Sequence, residues 1–130
     1  MTKEVSFCSN LFENKIVKPH FINDRCFGED LAAWLTSKLK ISGFAFSEPY
    51  QEDWGWQIEV QSGRELFFIS IGIMDESIGE ENAEWHIAIE HNRSWFSFKK
   101  PDTNLQAQLC NEIDKVLSGE EKITRIEWRK

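Results

Sequence analysis

Two apolar alternations that meet at a glycine constrain this chain more than any other feature. Trp56, Ile58 and Val60 alternate with Gln57, Glu59 and Gln61; Phe67, Ile69, Ile71 and Ile73 alternate with Leu66, Phe68, Ser70 and Gly72. A period of two sends one set to a core and the other toward water. Ser62-Gly63 lies between the two runs as a two-residue turn, in which glycine can take positive φ. Closing the hairpin there sets Gln61 opposite Arg64, Ile58 opposite Phe67 and Trp56 opposite Ile69. Both apolar sets then share a face. A one-residue slip would turn the isoleucines toward the polar side, so the pattern specifies the pairing strongly. The same arrangement leaves Phe68 on a mostly polar face, as a residue to be covered or a contact surface.

The remaining segments supply helices and further strands. Leu31, Trp34, Leu35 and Leu39 recur at helical spacing after Gly28, with Glu29 and Asp30 in the first turn and lysines near the end. Gly43 is placed to stop that helix. Trp85, Ile87 and Ile89 predict a strand over 84–90, with His86 on its wetter face and His91 just beyond it. Trp95, Phe96 and Phe98 continue in extended fashion. A second helix opens at Pro101-Asp102-Thr103, buries Leu105, Leu109, Ile113, Val116 and Leu117, and ends at Gly119. Ile123, Ile126 and Trp128 suggest a closing strand. Ile16, Val17, Phe21 and Ile22 suggest an extended stretch near the N-terminus, at a sheet edge because of Pro19. The expected fold is one α+β domain over 1–130: a two-layer sandwich with a mainly antiparallel sheet of four to six strands and two helices on one face.

Composition narrows the function classes. The chain has 130 residues and a net charge of −7, with its basic residues scattered. Nucleic-acid binding needs Lys and Arg gathered on one face, so no nucleic-acid partner is expected. An acidic surface suits a basic protein partner, although a solvated acidic face is the commoner meaning of such a charge. Cys8, Cys26 and Cys110 form no C-x-x-C pair, and no apolar run is long enough for a membrane span. A cytoplasmic protein with no membrane partner is the expectation; the sequence leaves its oligomeric state open.

Two segments hold the densest polar and aromatic chemistry: 21–35, FINDRCFGEDLAAWL, and 48–56, EPYQEDWGW. Glu52, Asp53, Trp54, Gly55 and Trp56, with Cys26, Gly28, Asp30, Trp34 and Leu35 upstream, resemble an uncharacterised family of small bacterial proteins with an E-D-W-G-W signature. The resemblance implies one fold unit and brings no reaction with it. Glu52 and Asp53 have the chemistry of an acid and base pair or of hard-metal ligands. The commoner use of such an Asp is to hold backbone N–H groups of its own turn. Trp56 belongs to the buried alternation, whereas the direction of Trp54 is open. Cys26 beside Arg25 has the setting of an activated thiol, yet a cysteine catalyst needs a base and nothing positions a histidine there. A packed thiol is the simpler reading. No glycine set cradles a phosphate, and no cofactor is implied.

Three function classes follow. The first is a non-enzymatic binding or protein-interaction domain, with Asn23, Asp24, Asp30, Glu48, Glu52, Asp53 and Trp54 as candidate binding residues on loops 22–30 and 48–55. The second is an immunity-like protein that neutralises a basic toxin. The third is a small enzyme working from Asp53, Asp30 or Cys26. His20, His86 and His91 lack metal-ligand spacing, and the acidic run 75–84 lacks the alternation of a calcium loop. Protein purified without chelator or a histidine tag should therefore carry no stoichiometric transition metal. Zinc near one equivalent in elemental analysis would overturn that reading.

Overall fold

A computed structural model describes residues 2–92 and 103–129. Its elements run β1 (Thr2–Ser9), α1 (Glu29–Lys38), β2 (Ala45–Phe46), β3 (Tyr50–Glu52), β4 (Gly55–Ser62), β5 (Glu65–Ile73), β6 (Ala83–Asn92), α2 (Thr103–Ser118) and β7 (Ile123–Arg129). All pairings are antiparallel, in one sheet of order β2-β4-β5-β6-β1-β7, with β3 also pairing β4. The seven strands among the described residues exceed the four to six expected. The α+β sandwich itself is as expected. Trp95, Phe96, Phe98, Pro101 and Asp102 lie outside the described residues.

The hairpin keeps the predicted faces but not the predicted partners. Ile58 pairs Ile69, Trp56 pairs Ile71 and Val60 pairs Phe67. The shift is two residues, because Ser62 pairs Glu65 and the turn residues are Gly63 and Arg64 rather than Ser62 and Gly63. Gly63 takes φ +59. Glycine at the first central position of a two-residue loop is the type II′ pattern. A slip of two preserves side-chain parity, so Trp56, Ile58, Ile69 and Ile71 are all buried in one core with Leu31 and Leu35 of α1 and Leu109 and Ile113 of α2.

The N-terminal third departs most from expectation. β1, a strand not expected from the sequence, lies between β6 and β7, with Val5 and Phe7 in the core. The stretch expected to be extended is irregular instead, and Ile16 and Ile22 are largely exposed. Phe12 secures this segment by edge-on contacts with Trp34 at 5.5 Å and Trp85 at 5.7 Å. β6 also runs longer than expected, because it pairs β5 as far as Asn92. His91 therefore lies within the strand. It is buried against Phe67, with Nε2 2.6 Å from Glu65 Oε2. Gly43, at φ +85, lies in the following turn rather than capping α1, whose last turn closes at Leu39.

β7, the outermost strand on its side among the described residues, carries a bulge. Between the pairs Ser6–Glu127 and Cys8–Thr124, β1 advances two residues and β7 three. Arg125 there has φ +56, in the left-handed region.

Ile69 has no exposed surface. Ile69→Ala should lower unfolding free energy by about 2–5 kcal/mol, read as a shifted urea midpoint at unchanged slope.

Candidate functional site

Loops 22–30 and 48–55 meet at one end of the sheet. Part of the second is itself structured: β3 and β4 form a tight hairpin in which Glu52 pairs Gly55, leaving Asp53 and Trp54 as its turn. Gly55 is needed there because a Cβ would overlap the carbonyl oxygen of Ile71 on β5. Gly28, at φ +140, brings the start of α1 against the side chains of Ile71 and Trp56.

Main-chain groups do most of the joining. The buried Trp56 Nε1 donates to the Cys26 carbonyl at 2.8 Å. Cys26 Sγ and Asn23 Nδ2 donate to the Asp53 carbonyl at 3.2 and 3.3 Å. Ile22 N donates to Gln51 Oε1 at 2.7 Å. Gln51 was not among the expected site residues. Its place opposite Trp56 in the β3–β4 pairing is what aims it across the loops.

The candidate residues separate into distinct roles. Asn23 is scaffolding: Oδ1 accepts from Arg25 N at 2.9 Å while Nδ2 holds Asp53. Asp53 takes part through its carbonyl and the residue is exposed, as are Asp24 and Glu48. Among the described residues, no ion pair engages Asp24, Glu48, Glu52 or Asp53. Glu52 is half-buried at the pair that closes the turn. Asp30 is turned elsewhere: Oδ2 accepts Glu13 N at 2.7 Å, in a concavity of about 510 Å³ that Glu80 and Glu81 line and Asp53 and Cys26 do not. The arrangement that would unite Asp53, Asp30 and Cys26 in one cleft does not form.

Cys26 is a packed thiol. Burial first, and then the charges of Asp75, Asp53 and Asp24, push it above the ordinary cysteine range. A nucleophile needs the opposite shift. Trp54 is about half exposed and borders a groove of about 430 Å³ on the helix-free face, with Gly72, Ser70, His86, Ala88 and Arg129. Sequence reasoning missed that groove, because its lining comes from strands far apart in the chain.

Beside the loops, Glu29 at the start of α1 accepts from Lys18 Nζ at 3.0 Å and lies 2.6 Å from His20 Nε2. Burial raises the Glu29 carboxyl, but the hydrogen bonds from Lys18 and His20 outweigh it and hold it below the ordinary range. No group of three or more His, Cys, Asp or Glu able to hold a metal occurs among the described residues, nor does any helix long and apolar enough to cross a membrane. Comparison of the chain with protein-family models, curated proteins and solved structures gives no match.

A carboxyl depressed by folding contributes stability above its unfolded pKa and loses it as pH falls through the folded value. Glu29 is such a group, so wild type should lose stability on acidification below about pH 4.5. Glu29→Gln should flatten that limb and destabilise the protein at neutral pH. Equal acid limbs for both proteins in denaturant titrations would refute the assignment.

Proposed function

We propose that this protein is a non-enzymatic interaction domain that takes a basic partner segment on the end formed by loops 22–30 and 48–55. The observation that carries the reading is the division of labour there. Bonds between side chains and main-chain groups lock the two loops together, while Asp24 and Asp53 are exposed and their carboxylates enter no ion pair among the described residues. Exposed apolar surface accompanies them, with Ile22 70% and Trp54 52% accessible. Carboxylates beside an exposed indole suit a Lys or Arg side chain, which gains charge complementarity and a ring face together. A pre-formed scaffold reduces the ordering cost of association. The acidic balance of −7 adds long-range attraction for a basic partner.

Affinity capture from a native lysate tests the reading. Asp53→Asn keeps the carbonyl that Cys26 and Asn23 hold, and Trp54→Ala removes an exposed ring. Each should cost about 1–2 kcal/mol of partner affinity and leave the melting temperature nearly unchanged. Capture should also weaken with added salt. Loss of stability from both variants with capture unaltered would make the loops scaffolding and end the proposal.

A further inference from the structure

We infer that the groove on the helix-free face is a second binding site, suited to a small planar aromatic ring carrying a carboxylate. Its floor follows from strand register. Gly72 on β5 pairs His86 on β6, which pairs Ser6 on β1; Ser70 pairs Ala88, which pairs Glu4. Of these, Gly72, Ser70 and Ala88 line the groove and are small, so the sheet offers a low strip there between taller walls. Trp54 stands at one wall beside Gly72, and Arg129 on β7 lines the other.

Strands lie about 4.8 Å apart, so β5 and β7 are separated by about 14 Å. Trp54 and Arg129 both line the groove across that gap, with His86 and Ala88 between them. A bicyclic aromatic acid fits the space, and about 430 Å³ lies within the range of small-molecule sites.

The charges decide which ring ligand fits. Arg129 Nη2 donates to Ser6 Oγ at 3.2 Å, and its guanidinium enters no ion pair among the described residues. The register places Glu4 opposite Arg129, yet Glu4 is 3.7 Å from His86 Nε2 instead. The guanidinium thus has donors left for a carboxylate, which it can hold bidentately. The Trp54 indole offers a stacking face. Glu4 disfavours a ligand of higher negative charge, which limits the class to monoanions.

The inference goes beyond the interaction reading; the two share the Trp54 ring, and they are told apart because this one depends on Arg129 and not on Asp53. The test is titration of the ¹⁵N-labelled full chain with naphthalene-2-carboxylate and with naphthalene-2-carboxamide. The carboxylate should give saturable shifts at the Trp54 indole N–H and at the Gly72 and Ala88 amides. The neutral amide should bind about tenfold more weakly. Arg129→Gln should weaken the carboxylate by a similar factor and leave the amide unchanged, and Trp54→Ala should abolish both. Asp53→Asn should leave carboxylate binding as tight as in wild type or tighter. Equal binding of acid and amide by wild type would overturn the site whether or not any variant folds. So would the absence of saturable shifts, or shifts confined to another face.

Discussion

The hydrogen bond from the Trp56 indole to the Cys26 carbonyl is the joint on which the rest of the loop end depends. It is buried, and it ties an irregular segment to the first core position of β4. Leaving a buried donor and acceptor unmade costs about 1–3 kcal/mol, comparable with the whole net value of several exposed contacts. Phe21 extends the joint, its ring edge-on to Trp56 at 5.6 Å and to Phe27 at 6.0 Å. With Trp56 fixed, Gly55 must pass beneath the Ile71 carbonyl, and the Asp53-Trp54 turn is thrown outward. Candidate function at this end is a by-product of core packing behind it.

The E-D-W-G-W run acquires physical content from that geometry. Glu52 and Gly55 close a hairpin, Asp53 supplies a carbonyl to two donors, and Trp56 fills the core. Only the Asp53 carboxylate and the Trp54 ring are spare. Of the five residues, most are explained by folding alone, so the run is weaker testimony to function than its density of reactive groups suggests.

How far the fold could be read from sequence depended on whether each signal was local. The faces of β4 and β5 follow from period-two alternation, which a register shift of two leaves intact; their partners depend on one turn, and there the reading was two residues off. Both helices were legible from their apolar stripes. β1 was not, because Val5 and Phe7 are its only two apolar inward residues, in a polar stretch. Its burial arises from β6 and β7, far along the chain. Ile16 and Val17 misled for the converse reason: two adjacent β-branched residues read as a strand, but among the described residues no strand pairs them. At the site, the meeting of loops 22–30 and 48–55 has no local signal, because it rests on tertiary bonds such as that from Trp56 to Cys26. The turning away of Asp30 toward Glu13 had no sequence signal.

The bulge at Arg125 bears on how this protein behaves among copies of itself. β7 closes one side of the path through the sheet, and a straight outer strand offers its free N–H and C=O groups to any similar strand. The extra residue and the left-handed Arg125 break that row, at a conformational cost of roughly 1–2 kcal/mol. The neighbouring side chains, Thr124 and Glu127, are exposed and polar. A small sacrifice in stability thus makes this strand a poorer template for edge-to-edge pairing than a straight one would be.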